Sequence, residues 1–426
     1  MIKVQKMKRN WTKVLSYLLV GTMLIIMTSC AKEKTLIQAG NLMAEISADE
    51  VSSRTPDDQF IGNTADFSFD LFKETIAEKE NSLVSPLSVM LALAMTANGA
   101  DSETLEEMAQ VLGKDLTLNE LNEYLYSYAN SLPSEVKSKL QIANSIWLSE
   151  DEDRLVVEKE FLKVNASYYG AAAYKSAFDD QTIKDINSWV ETNTDGMIDK
   201  ILEQINEDAI MYLINAIVFD AEWKNAYKLN EIASGDFTAI DGSTQTADYM
   251  NSEEDTYLDD GRATGFIKPY ANGHYSFVAL LPNEDVDILD YIATLSGEGF
   301  LKTIKEAEKT AVTAALPKYS YAYTVTMNDA LKAIGMPKAF SADEADFSKL
   351  GKSSRGNIYI GEVLHKTFIS VDELGTKAGA VTKVEMREES YMETKIVKLE
   401  RPFVYAIIDN ATNLPVFIGA VMSLGK

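Results

Sequence analysis

Few residues in this 426-residue chain have the types and spacing for covalent or metal chemistry. There are two histidines, His274 and His365, and one cysteine, Cys30. A Ser-His-Asp triad would need one of the two histidines as its base. His274 stands in the turn-like Ala271-Asn272-Gly273-His274, and the sequence has no G-x-S-x-G elbow. Taken alone, His365 reads as a hydrogen-bonded core histidine. No H-E-x-x-H or Cys-rich spacing offers a metal site, and no Gly-rich loop offers a phosphate cradle, so no cofactor is expected. These absences argue against an enzyme.

A patterned segment stands out instead. Alternate residues from Thr376 are Thr376, Ala378, Ala380, Thr382, Val384 and Met386, all small or apolar. The interleaved set is Lys377, Gly379, Val381, Lys383, Glu385 and Arg387, mostly polar. A period of two marks a strand with one buried face. Its inward side chains are small, as if they had to enter a space without displacing much. The segment belongs to a connection, about 373–399, that is too long for a hairpin turn; connections of that length are usually functional or disordered. On periodicity alone, an edge strand with a long return loop fits equally well.

The surrounding elements are legible. Phe67, Leu71, Phe72 and Ile76 share one helical face. Ser85-Pro86 reads as an N-cap and first helical position, opening the apolar run Leu87 to Ala97 that Asn98-Gly99 stops. A helix apolar all round belongs in the centre of a domain. Another begins near Asp101-Ser102, with Leu105, Met108, Val111 and Leu112 inward and Gly113 at its end. Leu140, Ile142, Ile146 and Leu148 mark a strand; Tyr212 to Phe219 and Tyr275 to Leu281 read as strands covered on both faces. A strand at Thr367–Val371 leads into the long connection. Phe403 to Ile408 and Val416 to Val421 form a hairpin about Asp409-Asn410-Ala411-Thr412. Helices mostly precede strands, so the expected class is α+β in a single large domain over 61–426.

Composition agrees with a globular body: 46% of residues are apolar and 25% charged. The net charge of −25 keeps the chain soluble, repels nucleic acid and can attract basic partners. At the start, Lys3, Lys6, Lys8, Arg9 and Lys13 precede an apolar run from Val14 to Met27 that is short for a membrane span. Residues 1–29 thus read as a signal peptide. Met27-Thr28-Ser29-Cys30 resembles a bacterial lipoprotein cleavage box, in which Cys30 becomes the acylated first residue; a chance thiol in an ordinary secretory signal is the other reading. Two acyl chains would anchor the protein stably. The expectation is an exported lipoprotein on the outer membrane or cell surface, the periplasmic face included. Residues 30–60 are polar and poorly periodic, with Pro56-Asp57-Asp58 breaking any pattern, and read as a flexible tether.

Glu373-Leu374-Gly375-Thr376-Lys377-Ala378-Gly379-Ala380-Val381-Thr382 resembles the hinge of the serpin reactive loop, and Val363-Leu364-His365-Lys366 resembles the strand leading into it. Asn81 to Ser88, Ile186 to Val190, Leu213 to Phe219 with Trp223, Arg401-Pro402-Phe403-Val404 and Phe417-Ile418-Gly419 agree in serpin order. The resemblance spans roughly 63–426. It implies a serpin fold: a large central sheet, further sheets, about nine helices and an exposed reactive-centre loop. It implies a monomeric suicide inhibitor of serine, or cysteine, proteases; the alternative is a non-inhibitory binding protein on the same fold. Carried over residue by residue, Ser85, Ser88, Asn215 and His365 match the shutter beneath the sheet, and Trp223 the breach where insertion begins. Glu373, Gly375, Thr376, Ala378, Gly379, Ala380 and Thr382 form the hinge, with Gly375 expected to supply unusual backbone angles. Lys377 departs from the family's usual Glu at an outward position, and Gly379 and Val381 replace alanines. Counting forward from Gly375 by the family's spacing puts the scissile bond at Glu389-Ser390. Counting back from Pro402 lands near Tyr391, so Arg387, Tyr391 and Met392 stay open as alternatives.

Overall fold

Capping chemistry sets where the helices begin. In the computed structural model, which describes residues 37–150, 155–205, 209–354, 356–376 and 394–424, the helices are α1 (Asp58–Glu74), α2 (Pro86–Ala97), α3 (Ser102–Gly113), α4 (Leu118–Ser131), α5 (Lys159–Tyr169), α6 (Asp180–Asn193), α7 (Ile288–Thr294), α8 (Gly297–Lys305) and α9 (Asn328–Ala333). Every residue of α2 is buried, and Ser85 caps it with Pro86 at its first position. The expected break at Pro56-Asp57-Asp58 is instead the start of α1. Asp57 accepts the Phe60 N–H at 2.9 Å and is the N-cap.

The polar stretch before α1 also differs from its reading as a tether. From Gln38 onward it is bound to the body. Asp185 accepts the N–H groups of Gln38 and Ala39 at 2.9 and 2.7 Å. Gly40–Asn41 pairs with Tyr174 and Lys175, Asp49 meets Lys163 at 2.6 Å, and Arg54 meets Glu120 and Glu123. These attachments are backbone bonds and ion pairs to residues far along the chain, so hydrophobic periodicity carries no trace of them. Residues 1–36, with Cys30, lie outside the described residues.

The strands are β1 (Gly40–Asn41), β2 (Ser82–Val84), β3 (Ser138–Ser149), β4 (Val156–Val157), β5 (Ala172–Ser176) and β6 (Met211–Glu222). Next come β7 (Ile232–Thr238), β8 (Thr244–Glu254), β9 (Tyr257–Asp259), β10 (Ala263–Pro269), β11 (Tyr275–Pro282) and β12 (Val312–Pro317). The last are β13 (Tyr319–Thr326), β14 (Gly351–Lys352), β15 (Glu362–Val371), β16 (Gly375–Thr376), β17 (Lys395–Lys398), β18 (Phe403–Asp409) and β19 (Pro415–Val421). They form a seven-stranded sheet, β1-β5-β3-β6-β16-β15-β13, a six-stranded sheet, β2-β19-β18-β11-β10-β9, a four-stranded sheet, β17-β12-β8-β7, and a two-stranded one, β14-β4. The architecture is the expected α+β class, with one large sheet and several others.

Two apolar clusters fill the space behind the large sheet. One gathers α2, through Leu93 and Met95, with Leu213 of β6 and Val363 of β15. The other is aromatic: Phe219 of β6 packs against Tyr270 and Phe417, and Phe277 stacks on Tyr405. The first lies under one end of the β6–β15 pair and the second under the other.

Candidate functional site

Register across three strands builds a polar row in an otherwise apolar interior. Asn144 of β3 lies opposite Asn215 of β6, which lies beside His365 of β15. The N-terminus of α2 comes up beneath them. His365 Nε2 accepts the Ser85 N–H at 3.1 Å, so the ring proton sits on Nδ1 and is donated to Asn215 Oδ1 at 2.5 Å. Asn215 Nδ2 then donates to Ser88 Oγ and Asn144 Oδ1, both at 2.6 Å. Asn144 Nδ2 donates to the Ser88 carbonyl at 3.3 Å. Farther along β15, Thr367 Oγ1 donates to Leu83 O at 2.8 Å. Complete burial lowers the His365 pKa to about 3, so the ring is neutral. Both its nitrogens are engaged, which leaves neither for a nucleophile. The four residues expected to cluster here do so, and Asn144 and Thr367 join them.

At the other end of the same strands the chain turns back on itself. Asp372 Oδ1 accepts the N–H groups of Leu374 and Gly375 at 2.8 and 3.2 Å, and the Asp372 N–H donates to Gly375 O at 3.0 Å. The reversal brings Gly375–Thr376 between β6 and β15: Gly375 opposes Glu222, and Thr376 opposes Ala221 on one side and Val371 on the other. The hinge was expected as part of an exposed loop. Its first two strand residues are instead buried rungs of the sheet, with Thr376 only 1% exposed.

The reason for glycine at 375 differs from the expected one. Its φ is not in the left-handed region; instead, a Cβ there would meet Ala221 O at 2.0 Å and Glu222 Cα at 2.8 Å. The position requires closeness of approach, not freedom of backbone angle.

Trp223 fastens this turn. Its N–H donates to Leu374 O and its Nε1 to Asp372 O, each at 2.8 Å. Nearby, the Tyr227 N–H donates to Glu373 O at 2.9 Å. The Glu373 carboxylate pairs with Lys318 Nζ at 2.6 Å, and that hydrogen bond holds its pKa below the usual carboxylate range. Trp223 stacks on Tyr270, with ring centroids 4.5 Å apart, and the Tyr270 hydroxyl meets Thr376 Oγ1 at 2.5 Å. Beneath lies a buried ion pair, Lys268–Glu254 at 2.7 Å, with the ammonium 4.2 Å from the Tyr227 ring centre.

Ala378, Gly379, Ala380 and Thr382, the bond candidates Glu389 and Ser390, and Arg387, Tyr391 and Met392 lie outside the described residues. Sequence reasoning missed Asn144, Tyr270, Lys318 and Asp372. Asn144 alone left a local signal: a polar side chain in the inward phase of the alternation Leu140, Ile142, Ile146, Leu148.

The model of the family described as serpin (serine protease inhibitor) matches residues 62–424. Serpin B10 of Bos taurus is 30% identical, with 82% of this chain and 94% of that protein covered. The structure of the thermophilic serpin tengpin in its native state superposes with a TM-score of 0.88 at 56% identity, covering 91% of this chain and all of that one. Its latent state gives 0.79 at the same 56% identity, over 88% of this chain and all of that one. Human thyroxine-binding globulin bound to its hormone gives 0.77 at 25% identity, over 86% of this chain and 99% of that one.

Proposed function

This chain belongs to the serpin family of serine protease inhibitors, and on that premise we propose that it traps a serine protease irreversibly through the loop that follows Thr376. The protease serine attacks the Glu389 carbonyl and the bond to the Ser390 nitrogen breaks, leaving Glu389 as an ester on the enzyme. The freed strand then enters the large sheet beyond Thr376 and carries the protease with it before water can cleave the ester. A strand hydrogen-bonded on both sides, at about 1 kcal/mol net per bond, supplies on the order of 10–20 kcal/mol. That rivals the whole stability of a typical domain, so the uninserted state is held by kinetics.

One observation carries the reading: Gly375–Thr376 already occupies the slot between β6 and β15, with the small inward side chain buried. Insertion then continues a strand that exists. Signal cleavage and acylation at Cys30 would hold a monomeric inhibitor at the outer membrane or cell surface, and labelled palmitate should enter the protein and fail to enter Cys30→Ala.

Incubation with a panel of chymotrypsin-like, trypsin-like, subtilisin-like and Glu-specific proteases tests the central claim. The expected product is a complex that survives boiling in SDS, with a released peptide beginning at Ser390. Thr376→Arg would have to bury a charge in the slot and should convert the inhibitor into a substrate. Cleavage across the whole panel with no complex would favour the second reading, a non-inhibitory binding protein on the same fold, as thyroxine-binding globulin with its bound thyroxine shows the fold can be.

A further inference from the structure

We propose that Tyr270 is a positioning residue for loop insertion: its hydroxyl, bonded to Thr376, holds the first rung of the loop in the sheet before any protease arrives and so sets how many attacks end in trapping. The proposal rests on the inhibitory reading and concerns a residue outside both the loop and the strands that receive it.

Tyr270 is completely buried in the aromatic cluster behind the large sheet. Its N–H donates to Tyr275 O at 3.0 Å, its ring stacks on Trp223, and Phe219 meets it edge-on at 5.0 Å. These contacts fix the ring and aim its hydroxyl at the underside of the large sheet. Among the described residues, the bond to Thr376 Oγ1, at 2.5 Å, is the one the hydroxyl makes. If Thr376 left the slot, a phenol oxygen would remain in an aromatic interior without a partner. Burial pushes the phenol pKa far above the range in which proteins are studied, so the group stays neutral and able to donate.

The same tyrosine reaches the hinge by a second route. The Trp223 ring stacked on it donates to Asp372 O, and the Trp223 backbone donates to Leu374 O. One aromatic pair thus holds the turn by two carbonyls and the strand residue by its side chain. Starting a new strand is slow because residues must be ordered before their contacts form. With residues 375 and 376 already seated, insertion proceeds from residue 377 without that step. The ester on the protease meanwhile faces hydrolysis, so the speed of the start divides the outcome between trapping and turnover.

Tyr270→Phe and Thr376→Val each delete one hydroxyl and preserve the ring or branch. With whichever protease of the panel the wild-type protein traps, each single variant should at least double the number of inhibitor molecules consumed per enzyme trapped, the excess appearing as free cleaved protein. The double variant should be no worse than the worse single one, since one bond is lost in all three. Thr376→Ser, which keeps the hydroxyl, should restore the original ratio. Amide exchange of the intact, unreacted protein gives a readout independent of inhibition. The Trp223 and Tyr227 N–H groups, which donate to hinge carbonyls, should exchange at least tenfold faster in Tyr270→Phe, whereas the Met211–Ala216 segment of β6 should not change. An unaltered consumption ratio, or unaltered exchange at Trp223 and Tyr227, overturns the assignment. Should the wild-type protein trap no protease, the inhibitory reading fails, and the exchange measurement alone decides whether Tyr270 holds the hinge.

Discussion

The pair β6–β15 is closed in opposite ways at its two ends. At the shutter, Tyr212–Ala216 pairs directly and in parallel with Glu362–Lys366, and the seal is a network of neutral side chains with His365 at its centre. At the breach, two residues of the loop are wedged between the strands, held by Trp223, Tyr270 and Lys318. The first end has no space for another strand until its hydrogen bonds break. The second is already parted. On the proposed mechanism, insertion would run from the breach toward the shutter, with the shutter bonds the last obstacle along the path.

Substitutions at the shutter should have the larger effect. His365→Ala leaves the Ser85 N–H and Asn215 Oδ1 without partners and opens a cavity. It should lower stability by about 3–5 kcal/mol, seen as a thermal midpoint roughly 5–10 °C lower. A midpoint within a degree of wild type would remove the contrast between the ends.

Acid tests the same residue without a cavity. His365 is held near pKa 3, against 6.5 for the unburied ring. Above 6.5 it is neutral in both folded and unfolded chains and adds no slope. Between 6.5 and about 3 only the unfolded chain gains the proton, so stability falls as pH drops, by up to about 1.4 kcal/mol per unit. Carboxylates such as Glu373, whose pKa is depressed by Lys318, add a loss of the same sign at lower pH. The stability difference between wild type and His365→Gln isolates the histidine. It should shrink steadily from pH 6.5 downward, and a constant difference would show that the ring does not report on this seal.

Gly375→Ala strikes the breach. The added methyl cannot sit 2.0 Å from Ala221 O, so the hinge should leave the slot, at a cost of about 1–3 kcal/mol. Limited proteolysis should then cut after Leu374, which is protected in the wild type; resistance equal to wild type would mean that the strands part instead. The smallest effect belongs to Lys318→Gln. Its pair with Glu373 is partly exposed, and its loss should cost no more than about 1 kcal/mol in thermal unfolding at low salt. A cost as large as that of His365→Ala would invert the ranking of the two ends.

The chemistry of the two ends was unequally legible. Ser85, Ser88, Asn215 and His365 were readable because each sits in a recognisable local block. Asn144 left only a polar gap in an apolar alternation. Tyr270 left nothing, because it meets Thr376 across 106 residues and looks like any buried aromatic of a strand end. The segment before α1 was misread for a related reason: much of what holds it is contributed by α4, α5, β5 and α6, far along the chain.

Local signals marked the central helix, several of the long strands, the alternation of the loop and the family, since caps, periodicity and motif blocks act over a few neighbouring residues. The tertiary structure alone decided that the loop begins inside the sheet. It also decided that Gly375 is needed for lack of room, and that a tyrosine from another strand end closes over the hinge. Each depends on register and distance between strands, and those exist only once segments far apart in the chain have been brought together.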